Sequence, residues 1–232
     1  MNNKNLALPI SIIIAAVIIA GTIFYTKKDS NPSPAPDGTN NNQTIKGPKE
    51  INSEDHLLGN PSTENSFIFF TDLECPYCKQ FHGTVKQIAE EYGKQGKIKI
   101  AMRHFPLDKI HSKSRKEAEA SECAAKLGGN EKFWEYVDRL FTITPSGNNL
   151  DLLELPKIAK YIGLDKTKFE ECLNSEEMAG KIQEDYEDAV ISGIDGTPYF
   201  IIINKKGEKF PMSGAYPYEQ VKVILNQILE VK

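Results

Sequence analysis

Apolar runs and the breaks between them divide the chain into three unequal parts. Residues 6–26, LALPISIIIAAVIIAGTIFYT, carry no charge; as a helix they would extend about 31 Å at 1.5 Å per residue, one bilayer crossing. The run exceeds the roughly 7–15 apolar residues of a cleavable signal peptide, and no small-x-small site follows it. An uncleaved anchor is therefore expected behind a cytoplasmic stub at residues 1–5. Lys4 precedes the span and Lys27 and Lys28 follow it, so the count of positive charges barely orients it. Residues 27–54, rich in Pro, Asn, Ser and Gly, bury too little to offset the entropy of ordering and read as a disordered tether. From residue 55 to 232 apolar periodicity continues without a second linker, which predicts one domain.

Within that domain Phe67-Ile68-Phe69-Phe70 is a continuous β-prone run, as a strand buried on both faces would be. Phe81, Val85, Ile88, Ala89 and Tyr92 then recur at helical spacing up to Gly93, and residues 98–102 read as a second strand. The result is a right-handed βαβ unit with a parallel strand pair. Residues 107–190 are mostly helical, with breaks at Gly128-Gly129, Pro145-Ser146-Gly147 and Gly163, and look like an insertion. Tyr199 to Ile203, turn chemistry at Asn204-Lys205-Lys206-Gly207 and a partner strand near Lys209-Phe210-Pro211-Met212 predict a hairpin, closed by a helix through Val221, Ile224, Leu225 and Ile228.

Charge changes the picture by subtraction. With 28 basic against 32 acidic side chains and a net charge of −4, no broad positive field exists to gather phosphates, so nucleic acid is not an expected partner. The cysteines add chemistry. Cys75-Pro76-Tyr77-Cys78 lies where a buried strand ends and an amphipathic helix begins. The Cys75 sulfur would then face the unpartnered N–H groups of the first helical turn, which favour thiolate. Pro76 suits that turn because its missing N–H would have gone unpaired. Cys78, three positions on, is in reach to close or resolve a disulfide, and the cycle needs no cofactor. A structural zinc site would need a second compact Cys or His pair. Cys123, Cys172, His56, His82, His104 and His111 are too scattered to provide one, so no metal is expected.

The segments 55–60 (DHLLGN), 71–82 (TDLECPYCKQFH), 103–107 (RHFPL), Glu122-Cys123-Ala124, Phe133-Trp134 and Gly196-Thr197-Pro198, in this order, resemble the DsbA-like branch of bacterial thiol:disulfide oxidoreductases. The resemblance implies an α/β thioredoxin-like fold with an inserted helical domain, Cys75 attacking, Cys78 resolving, and Pro198 as a cis-proline beside the pair. There the backbone of Thr197 would be left to bind an extended substrate. It also implies work outside the cytoplasmic membrane on reduced or unfolded secreted proteins, with a redox partner in or near the membrane recycling the pair. Two departures stand out. Phe69 occupies the place of a buried carboxylate in many relatives, leaving Asp72, Glu74 or water to serve the proton of Cys78. Tyr77 replaces the histidine of the strongest oxidants, which implies a milder one.

An oxidising compartment makes a bridge between Cys123 and Cys172 attractive, the alternative being two buried free thiols. Phe133, Trp134, Val137, Leu140 and Phe141 at helical spacing read as core. His82, four residues past Cys78, reads as a surface histidine or a neighbour that tunes the pair. The mixed charges of residues 113–122 read as a solvated helix face. Two rival functions remain open: an isomerase or reductase on the same scaffold, and a binding module whose pair is a static bridge or metal clip.

Overall fold

A computed structural model describes residues 47–229. The stub, the anchor and tether residues 27–46 lie outside the described residues. Among the described residues no helix is long and apolar enough to cross a membrane. The elements run β1 (His56–Gly59), β2 (Ser66–Thr71), α1 (Pro76–Ile88), β3 (Lys99–His104), α2 (Ser114–Ile143), α3 (Leu155–Tyr161), α4 (Lys166–Ser175), α5 (Ala179–Ile191), β4 (Tyr199–Ile203), β5 (Lys209–Ser213) and α6 (Tyr218–Ile228). One five-stranded sheet has the order β1-β3-β2-β4-β5. β2 and β3 are parallel across the α1 crossover, and the other pairs are antiparallel. Helices α2 to α5 form the insertion between β3 and β4.

β2 is buried along its whole length because both sheet faces are covered. Alternation sends Phe67 and Phe69 toward one core, with Phe81, Val85, Phe133, Trp134, Phe200 and Leu225. Ile68 and Phe70 go to the other, with Phe105, Ala189, Ile194 and Ile201. Phe67 stacks on Phe200 at 4.9 Å between ring centroids, and Phe81 on Phe200 at 5.1 Å, so the helix carrying the cysteine pair is fastened directly to the sheet. Phe133, Trp134, Val137, Leu140 and Phe141 are core residues, as their spacing predicts.

Several expectations need correcting. The tether does not run to residue 54. The buried Arg103 guanidinium donates to the Lys49 and Glu50 carbonyls at 2.9 and 3.2 Å, and the Lys49 N–H donates to Asp188 at 2.8 Å. Polar composition concealed this docking because its attachment is made through backbone N–H and carbonyl groups. β3 continues through Arg103 and His104, whose polar heads are paired inside the fold: Arg103 with Asp55 and Asp188, His104 with Glu122. The break expected at Gly128-Gly129 is present: Gly129, φ 75°, is non-helical and divides α2 into two helical segments, in a conformation that glycine adopts without steric cost. The charged run 113–122 is not a solvated face, since Glu117, Glu119 and Glu122 are all buried. Burial pushes the Glu122 carboxyl up, but hydrogen bonds with His104 and His56 outweigh it and hold the group down at about 2.

Cys123 on α2 and Cys172 on α4 are joined in a disulfide across 49 residues. In the chain-entropy treatment a loop of this size stabilises by about 4 kcal/mol. The double substitution Cys123→Ala/Cys172→Ala is expected to lose stability of that order in urea unfolding, with the disulfide of the Cys75 pair unaffected.

Candidate active site

The site is built on the end of β2. Thr71 closes the strand, residues 72–74 turn, and Cys75 takes the N-cap position of α1 in an extended conformation, φ −74° and ψ 123°, with Pro76 opening the helix. Cys75 and Cys78 are both free thiols. Cys78 is 1% exposed and Cys75 4%, whereas Tyr77 between them is 64% exposed and marks where the pair meets solvent. The Cys75 Sγ lies 3.7 Å from the Thr197 carbonyl oxygen, and Thr197-Pro198 is a cis peptide. Cys75, Cys78, Pro76, Tyr77, Thr197 and Pro198 therefore converge, although Thr197 stands 122 residues from Cys75.

The two sulfurs differ in acidity. The Cys75 thiol is lowered from 9.0 to about 6, chiefly by the hydrogen bond from Cys78, against burial, with the Cys78 and Tyr77 backbone N–H groups and Thr197 assisting. Burial, and then the neighbouring Cys75, push Cys78 well above 9.0. The expected thiolate is thus present, but its largest support is the second thiol, and the N–H groups of the helix start come after. Cys75 therefore ionises first and Cys78 keeps its proton.

Two acidic residues, Asp72 and Glu74, precede the pair in the turn after β2. The Asp72 carboxylate is buried and accepts from the Glu74 and Leu107 N–H groups at 2.8 and 2.7 Å and from His111 Nδ1 at 3.1 Å. Glu74, fully buried, accepts from the Asn148 N–H at 2.6 Å and the Leu150 N–H at 3.2 Å, while its carbonyl accepts from the Gly147 N–H at 2.7 Å. The residue just before Cys75 therefore holds a loop of the helical insertion. Glu117 on α2 escaped the sequence reading. It is fully buried, and burial, then the adjoining Glu74, raises it to about 10, so it carries a proton at neutral pH. Nothing in the charged run 113–122 distinguishes it by sequence from the half-buried Lys113, Arg115 and Lys116.

The remaining histidines are structural partners of carboxylates. His82 is buried, not on the surface, and its Nε2 lies 2.6 Å from Asp138. His56 and His104 both reach Glu122. His104, Glu122 and Asp185 approach within 4.8 Å of one another, but Glu122 is engaged by the two histidines and Asp185 by Lys181 and the His104 N–H. Phe69 fills its place with an apolar ring against Phe81 and Trp134.

A family model described as thioredoxin matches residues 51–226. The chain belongs to that family. Among solved structures, this thioredoxin-family chain is similar to alpha-DsbA1 of Wolbachia pipientis, at 26% identity and TM-score 0.67, covering 78% of this chain and 93% of that one. It shares its fold with oxidised BdbD of Bacillus subtilis, at 22% identity and TM-score 0.68, covering 79% and 97%. The "Na(+)/H(+) antiporter NhaA 3" of Salinispora tropica is 32% identical over 152 residues, which are 66% of this chain and 22% of that protein. The chain spans about a quarter of the length of the curated relatives it matches.

Proposed function

We propose that this protein is a membrane-anchored thiol:disulfide oxidoreductase, with its folded domain outside the cytoplasm, that introduces disulfides into reduced secreted or surface proteins. The observation that carries the reading is the unequal sulfur pair: an acidic Cys75 beside a proton-holding Cys78, facing the Thr197 carbonyl. A substrate thiolate attacks Cys75 Sγ of the oxidised pair; the Cys75–Cys78 bond breaks and its electrons pass to Cys78. A second substrate thiolate attacks its partner sulfur in the mixed disulfide, releasing oxidised substrate and the reduced pair. No cofactor enters, and a membrane or extracytoplasmic partner accepts the two electrons to restore the disulfide. The Cys123–Cys172 bridge supports an oxidising compartment, and the apolar run 6–26 supports the anchor.

The full-length protein in detergent is expected to oxidise a reduced two-cysteine peptide, with Cys75→Ala reduced to the uncatalysed rate. Equilibration with glutathione should place the pair between the strongest oxidants, about −120 mV, and thioredoxin, about −270 mV. A value at the thioredoxin end would replace oxidase by reductase. Cleavage of the domain by protease added to intact cells checks the topology; a protected domain rejects it.

A further inference from the structure

Both cysteines are tied to the scaffold through one residue outside the C-x-x-C segment. The Asp72 N–H points at Cys78 Sγ, 3.5 Å away, and the Asp72 carbonyl accepts the Cys75 N–H at 3.1 Å. Its side chain is fixed from another direction, by Leu107 and His111 in the segment between β3 and α2. A carboxylate offers only lone pairs here, so His111 Nδ1 carries the hydrogen that Asp72 accepts. His111 is itself buried. We propose that Asp72, held in place by His111, is a positioning residue that aims a backbone donor at the resolving sulfur and thereby sets how readily Cys78 leaves Cys75.

The proposal rests on the exchange reading of the pair and specifies its leaving group. When an incoming thiolate forms a bond to Cys75 Sγ, the S–S bond breaks and Cys78 receives the electron pair inside a site that disfavours its charge. The Asp72 N–H is the backbone donor that opposes this burial. Hydrogen bonds to a charged sulfur strengthen as the charge develops, so the donor assists departure more than it assists the intact disulfide. The contact at Cys78 depends on the position of the peptide plane at residue 72, and His111 acts on it only through Asp72.

The test uses the full-length protein in detergent and dithiothreitol, with no protein client. His111→Phe fills the ring's space without a donor, and His111→Asn restores an N–H near the position of Nδ1. Reduction of the Cys75–Cys78 disulfide is expected to slow roughly fivefold in His111→Phe, the equivalent of one hydrogen bond, with the equilibrium shifted toward the disulfide. His111→Asn should return to within about twofold of wild type. A second arm needs no His111 variant: the Asp72 amide proton should shift on replacing Cys78 with Ala. Wild-type reduction kinetics in His111→Phe, or an Asp72 amide unmoved by loss of the sulfur, overturns the proposal. A protein that reacts normally with dithiothreitol but oxidises no peptide would instead remove the oxidase reading.

Discussion

Cys78→Ala is expected to turn the protein into a covalent trap while weakening its nucleophile. With the resolving sulfur gone, Cys75 joined to a client has no internal thiol to release it, so mixed disulfides that dissolve in dithiothreitol should accumulate. Cys75→Ala should give none. The second effect follows from the cause of the acidity. Because the Cys78 hydrogen bond is the largest influence lowering Cys75 to about 6, the alanine variant should titrate nearer the ordinary value of 9.0. A thiol at 6 is about nine-tenths ionised at pH 7, and one at 9 about one-hundredth. Alkylation of Cys75 by iodoacetamide, followed from pH 4 to 10, should show a midpoint that moves upward in Cys78→Ala and less far in Cys78→Ser, whose hydroxyl still donates. A midpoint fixed near 6 in all three would assign the shift to the helix terminus alone. A variant that traps no client would favour the binding-module rival.

Glu117→Gln is expected to stabilise the protein by an amount that grows with pH. Glu117 titrates at about 10 in the fold against 4.5 for an ordinary glutamate, because of burial and then the adjoining Glu74 carboxylate. Its folded value is raised, so the native state binds the extra proton and stability falls with rising pH. The loss begins above about 4.5, is complete above about 10, and is absent below both values. At pH 7 the difference is on the order of 3 kcal/mol. Glutamine keeps a donor toward Glu74 and has no proton to lose, although its second N–H is left buried without a partner, which subtracts from the gain. The diagnostic is therefore the slope: urea unfolding at pH 5, 7 and 9 should show the gap between variant and wild type widening at each step. A gap independent of pH would show that Glu117 does not titrate as described. Loss of the carboxyl in Glu117→Ala should instead release the loop at Asn148 and Leu150 that Glu74 holds.

Sequence order by itself determined the core strand, the helix that follows it and the placing of the cysteine pair at their junction. These depend on neighbours: four apolar residues in a row bury on both sheet faces, and Cys75 lies at a helix start because Pro76 follows it and periodic apolar residues follow Pro76. Gly196-Thr197-Pro198 marked a strand entry, and the family resemblance supplied its place beside the cysteines. Tertiary structure alone decided which charges are inside. Arg103 is buried because Asp188, 85 residues on, comes back beside it, and the Lys49 and Glu50 carbonyls reach it from a segment whose composition predicts disorder. Glu117 keeps its proton because α2 lays it against Glu74, and His82 is inside because Asp138 meets it. A polar side chain is read as exposed until its partner is known, and here the partners arrive from distant parts of the chain. The free energy of burying a charge is set by that encounter, which no local pattern records.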